Sequence, residues 1–168
     1  MIREELTEKD VEKIQAEIDY RKTVVRKEAI EAVRTAREQG DLSESFEYYA
    51  AKRDKNKNEG RIRYLERMLK NASIISDESE EDEVGINNTV EIYFEDEEET
   101  ETYKLVTSIR GDSLDGRISI ESPIGKAILG HKAGDRVYVK VNDTAGFYVV
   151  VKSIENTTDT EADTIRTY

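Results

Sequence analysis

Between Thr7 and Gly40 the chain has no glycine and no proline, and an apolar residue recurs every seventh position, at Val11, Ile18, Val25 and Ala32. Ile14, Ala29, Val33 and Ala36 fall close to the same side. A repeat of this kind on an uninterrupted stretch predicts a long helix with one narrow apolar seam. Thr7 is a suitable N-cap, with Asp10 in the first turn. After Gly40 a second helical pattern carries Ile62, Leu65, Leu69 and Ala72. Reversing the chain between Gly40 and Ser43 sets Val11 opposite Ala72, Ile14 opposite Leu69, Ile18 opposite Leu65 and Val33 opposite Ala50. One register satisfies all four pairs, so an antiparallel coiled-coil hairpin is expected over residues 1–75. At 1.5 Å per residue each arm of about 28 residues would extend roughly 40 Å, more than a small core requires. The middle of the seam is its weak part, because Asp54, Asn56, Asn58 and Gly60 offer little to bury opposite Val25 and Arg21.

The second half has a different character. Residues 1–75 hold 17 Lys and Arg against 16 Asp and Glu, whereas residues 76–168 hold 9 against 22, consistent with the overall charge of −12. Such asymmetry predicts two units, joined by an acidic linker at 76–87 that begins in the run ISDESEEDE. From residue 88 to 155 the patterns NTVEIYFE, TYKLVTSI, RISI, RVYVKV and FYVVVKSI read as strands. Ser122 and Pro123 start one short helix that Gly130 stops. EDEEETE at 95–101 reads as a solvated hairpin loop, and the polar residues 156–168 as a mobile acidic tail. The fold class is therefore α+β, a helical hairpin plus a small mixed domain.

Composition excludes several chemistries. There is no cysteine, so disulfides, zinc ribbons and thiol nucleophiles are absent, in keeping with a reducing cytoplasm. One histidine, His131, cannot build a histidine-rich metal site, and it is expected to be an ordinary surface residue. No apolar run resembles a signal peptide or reaches the length of a membrane span. A net negative chain is a poor ligand for free nucleic acid.

The junction of the two helices, AREQGDLSESFEYYAAK at residues 36–52, concentrates the candidate chemistry. Spacing alone leaves two interpretations of Asp41 and Glu44 open. They form a capping-box-like pair that also complements the positive end of the second helix. The same two carboxylates could share a hard cation, but Mg²⁺ wants about six oxygen ligands, so the pair would be only half a site. Basic residues flank the junction: Arg34 and Arg37 before it, Lys52, Arg53, Lys55, Lys57, Arg61 and Arg63 after it. They suit either contacts to a nucleic-acid backbone or ion pairs on a solvated face.

This segment, with EGRIRYLERMLKNA at residues 59–72 and ISIESPIGKAILGHKAGDRVYVKV at 118–141, resembles the bacterial Gre family of transcript cleavage and elongation factors, most closely its GreA branch. The resemblance covers the chain from the first helix to about Glu155. It implies an FKBP-like C-terminal domain that docks on bacterial RNA polymerase beside the secondary channel, while the coiled coil enters the channel. Asp41 and Glu44 match the acidic residues that help hold a catalytic Mg²⁺, shared with polymerase, and activate water to cut the 3′ end of a backtracked nascent RNA. Arg37, Ser45 and Lys52 match positions expected to contact RNA or polymerase. By this resemblance the chain is a monomeric cytoplasmic factor rather than an enzyme in its own right, with no membrane partner.

The match has departures. Ser45 and Phe46 stand where the family usually has Asn-Ala, and Tyr49 where it often has His or Asp. Phe46 is expected either to pack against the first helix around Ala36, the simpler outcome, or to contact a base or a polymerase loop. These changes keep a second function in view, an antagonist that occupies the channel without stimulating cleavage. An FKBP-like fold also raises prolyl isomerase activity. That is disfavoured, since this half has no Trp and only Phe94 and Phe147 to line a pocket. Zinc-containing channel binders do not fit a chain without cysteine. Nucleoside-diphosphate-kinase regulators with a similar C-terminal domain have a shorter coiled coil.

Overall fold

The computed structural model describes residues 3–38, 46–160 and 162–167. They fall into two units, one running from Asp10 to Ala72 and the other comprising Glu5–Lys9 and the chain from Ser73 onward.

The first unit is the expected helical hairpin. Helix α1 spans Glu8–Tyr20, a π-helical turn occupies Arg21–Val25, α2 spans Arg26–Glu38, and α3 runs back over Phe46–Lys70. Ile14 and Ile18 of α1 and Ile62 and Leu65 of α3 are buried, as the seam requires. Beyond the π turn the seven-residue repeat fails: Ala32 and Ala50 are exposed, whereas Ala36 is buried and Val33 and Ala51 are half-buried. The π turn explains this change. Its i→i+5 bond, from the Arg26 N–H to the Arg21 carbonyl, accommodates one extra residue in the turn. Every later position on α2 is thereby moved on by one, so Arg26 and Val33 take the places the repeat assigned to Val25 and Ala32.

The weak middle of the seam is filled by polar groups. Asn58 and Arg61 are buried. Arg21 Nη1 donates to Asn58 Oδ1 at 3.0 Å, and Asn58 Nδ2 donates to the Arg21 carbonyl at 3.2 Å. Arg61 Nε and Nη2 donate to the two Glu17 oxygens at 2.8 and 3.2 Å, while Arg21 Nε reaches Glu17 at 2.7 Å. Arg26 pairs with Glu59 at 3.0 Å one turn further along.

The second unit is built on a mixed five-stranded sheet in the order β5-β4-β3-β7-β6. Its strands are β3 (Thr89–Phe94), β4 (Glu99–Val106), β5 (Arg117–Ser119), β6 (Arg136–Lys140) and β7 (Gly146–Glu155). Only β4 and β5 are parallel. A separate two-residue pair, β1 (Glu5–Leu6) with β2 (Ser73–Ile74), is also parallel. Alternation puts Val90 and Ile92, Val137 and Val139, and Val149 and Val151 on one face, where Ile128 of helix α4 (Pro123–Ile128) joins them in the core. Ser122 caps α4 by accepting from the Gly125 N–H at 3.1 Å, and Gly130 leaves it at φ 83°, as the Ser-Pro and Gly signals predict.

Three boundaries differ from the sequence expectations. The acidic stretch is exposed from Ser76 to Asp82 only, and Val84, Ile86 and Asn87, expected in the linker, are buried in the second unit. The acidic run at 95–101 is not all loop. A tight turn with Glu98 at φ 53° ends it early, and Glu99 already pairs with Phe94. The described residues of the tail are hydrogen-bonded to the domain. Thr157 donates to the Asn87 carbonyl at 2.6 Å, Arg117 donates to the Ala162 carbonyl at 3.0 Å, and the Arg166 N–H donates to the Ile109 carbonyl at 2.7 Å. Asp159 and Asp163 are buried beside Arg110. Polar composition predicts mobility only where no buried cation waits for the carboxylates.

Candidate functional site at the hairpin tip

Asp41, Glu44 and Ser45 lie outside the described residues. The elements that bracket them are described: α2 ends at Glu38 and α3 begins at Phe46. Arg37 sits on the last turn of α2, where a cation complements the carbonyl end of the helix dipole. Its guanidinium lies 5.8 Å from the centre of the Tyr48 ring on α3. The hydrogen bond from Arg37 holds the Tyr48 phenol below its usual pKa of 10.0; burial opposes this, and the positive charges of Lys52 and Arg37 reinforce it. Arg37 and Lys52, named separately from the sequence, are thus brought to the same phenol. Nothing in the spacing of the residues singled out Tyr48. The signal that could have found it was the register, which sets the end of α2 beside the start of α3.

Phe46 does not pack against Ala36. Its side chain is 91% exposed at the start of α3, and Ala36 is buried without it. Tyr49 is half-exposed and meets Tyr48 edge-on at 5.5 Å. The junction therefore presents an aromatic group and two cations on the helices that flank the acidic residues.

The flanking basic residues divide into two groups. Arg61 is spent on Glu17, and Arg34 on Glu31 at 2.6 Å within its own helix. Among the described residues Lys52, Arg53, Lys55, Lys57 and Arg63 form no ion pair, so α3 carries uncompensated positive charge. Among the described residues no group of three or more His, Asp or Glu side chains is placed to hold a metal. His131 is a half-buried residue with its ring 3.0 Å from the Asp135 carboxylate, a surface pair as expected. None of the described helices is long and apolar enough to cross a membrane.

Comparison with known proteins assigns both halves. The family model for the N-terminal domain of transcription elongation factors matches residues 4–74, and the model for the GreA/GreB C-terminal domain matches residues 78–156. Transcription elongation factor GreA of Thermoanaerobacter pseudethanolicus is 47% identical over 137 residues, 81% of this chain and 87% of that protein. GreA of Bacillus subtilis is 39% identical over 150 residues, 89% of this chain and 94% of that protein. Among solved structures, GreA factor homolog 1 of Thermus thermophilus is 26% identical, with 92% of this chain and 100% of that one covered at a TM-score of 0.43. With both halves matched in order, and identity well above 30% across most of its length, the chain belongs to the GreA/GreB family of transcription elongation factors.

Proposed function

We propose that this protein rescues backtracked bacterial RNA polymerase. In this reading the hairpin enters the secondary channel, the C-terminal domain docks at the rim, and Asp41 and Glu44 complete a hydrolytic centre that belongs jointly to both proteins. The observation that supports it most is placement. The segment holding the two carboxylates joins α2 to the 25-residue helix α3, and the family match at residues 4–74 runs through it. A helix of that length extends roughly 37 Å, enough to carry its first residues far from the opposite end of the hairpin.

The donor set suits a hard divalent cation: two carboxylates supply oxygen ligands, and Mg²⁺ then needs further oxygens from polymerase, substrate or water. When bound there, the ion would stabilise the developing charge of phosphodiester hydrolysis. The chain itself supplies positioning. Arg37, drawn toward Tyr48, and the unpaired cations of α3 offer a surface for the phosphates of the extruded 3′ end. Acting through polymerase, the protein is an elongation factor and not a stand-alone nuclease, and its place of work is the cytoplasm.

The test uses stalled elongation complexes carrying end-labelled RNA. The wild-type protein is expected to release short 3′ fragments in the presence of Mg²⁺, and Asp41→Ala or Glu44→Ala to bind polymerase but release none. A wild-type protein that binds and blocks synthesis without releasing fragments would replace this reading with the channel antagonist.

A further inference from the structure

The C-terminal domain buries a cationic cradle. Arg110 is fully buried, and its Nη1 donates to Asn87 Oδ1 at 2.7 Å. Lys104 and Arg117 lie beside it, with side chains 15% and 9% exposed. Taking three cations out of water is costly, and a domain of this size would gain as much from apolar side chains in their place. Within the domain Arg117 pairs with Asp115 at 3.7 Å, and the tail supplies further partners to all three cations. Asp159 Oδ1 and Asp163 Oδ2 lie 3.8 and 4.0 Å from Arg110 Nη1, Lys104 binds the Asp163 carboxylate directly, and Lys104 Nζ donates to the Thr158 carbonyl at 2.6 Å. Arg117 donates to the Ala162 carbonyl, and Arg166 Nη1 to the Ser108 carbonyl at 3.4 Å.

Two features mark the tail as an occupant and not as part of the core. Lys104, Arg110 and Arg117 fall inside the segment shared with the family, residues 78–156, and both aspartates fall after it. The tail also adds no described residue to the apolar core. We propose that the cradle is a docking site for an extended acidic peptide, with two carboxylates four residues apart, presented by a protein partner. The chain's own tail fills it in the free protein. Tethering gives the tail an effective concentration of about millimolar, so it acts as a built-in competitor that an outside segment must displace.

The probe is a labelled peptide of sequence NTTDTEADTIRTY, residues 156–168, added to the full-length chain. Wild type is expected to bind it weakly, and the Asp159→Asn/Asp163→Asn double variant about tenfold or more tightly, as a released competitor requires. A peptide with both aspartates changed to asparagine should bind neither, and millimolar inorganic phosphate should not displace the acidic one. A second preparation carries a protease site inserted between Glu155 and Asn156, cut after folding, so that the native cradle is tested with its own tail severed. The severed tail should stay bound at low salt and exchange for the labelled peptide. Equal binding of the two peptides, displacement by phosphate alone, no gain in the double variant, or unfolding on cleavage would each overturn the proposal, the last by showing that the tail is structural.

Discussion

Asn58 and Arg21 bridge the two arms of the hairpin in both directions, the Arg21 guanidinium donating to the Asn58 carbonyl and the Asn58 amide donating to the Arg21 main-chain carbonyl. That carbonyl also accepts the Arg26 N–H across the π turn. The side chain of one helix therefore holds the irregular turn of the other, and the turn sets the register of α2 from Arg26 to Glu38. Asn58→Leu would restore an apolar seam position yet strip both partners. A loss of about 1–3 kcal/mol is expected, the cost of leaving such groups unsatisfied. Urea unfolding followed by helical circular dichroism measures it. A leucine variant as stable as wild type would mean that the π turn holds without Asn58.

Glu17 gives the hairpin a pH dependence with a definite sign. Burial raises its pKa, but hydrogen bonds from Arg61 and Arg21, and their charges, outweigh that and leave it below the usual 4.5. A depressed folded value means the stabilisation is complete above the unfolded pKa, near 4.5, and is lost as pH falls through the folded value. Glu17→Gln should therefore be less stable than wild type at neutral pH by about 1–3 kcal/mol. The gap should close as the pH is lowered below 4.5 and the wild-type carboxylate takes up its proton. Thermal melts of both proteins across that range test this, and a gap of constant size would refute it.

Tyr48 reports on the basic collar of the tip without any assay of transcription. Removing the guanidinium in Arg37→Ala should raise its phenol pKa back toward 10.0, since the Arg37 hydrogen bond is the main cause of the lowering. The chain has nine tyrosines, so the Tyr48 signal is the difference between the phenolate titrations of wild type and Tyr48→Phe. If Arg37→Ala leaves that difference unmoved, Arg37 and Tyr48 do not interact in solution.

Much of this fold was legible because its core obeys simple periods. Ile14, Ile18, Ile62 and Leu65 could be assigned to the seam from spacing, and Ser122, Pro123 and Gly130 marked both ends of α4. The π turn was not legible, because a seven-residue repeat assumes constant rotation per residue and one extra residue at Arg21–Val25 breaks that assumption. The burial of Arg61 was equally hidden: its partner Glu17 lies on the other arm, and local sequence reads both as surface charge. The contacts of the tail were hidden for the same reason, since the cation beside Asp159 and Asp163 is Arg110, in another element. At the tip, spacing left the roles of Asp41 and Glu44 open, and it was the motif around them that favoured a metal site over helix caps. Arg37 and Lys52 were recognised one by one, while the phenol that gathers them needed the register.

Gly125 marks where the second unit has no tolerance. A Cβ there would lie 2.0 Å from the Ser119 carbonyl oxygen and 3.0 Å from Ser122 Oγ. Both groups are already engaged, because Ser122 donates its hydroxyl to that carbonyl at 2.6 Å and its N–H at 3.0 Å. The main chain at the end of β5 is thus clamped against the first turn of α4, and neither side is a flexible side-chain tip that could move away. Gly125→Ala must push α4 off β5 and loosen Ile128 in the core, at a cost of about 1–3 kcal/mol or more for overpacking. Hydrogen exchange should show faster opening of the amides of β5 and α4, with those of α3 unchanged. Uniform loss of protection in both units, or none in either, would contradict a clash confined to this corner.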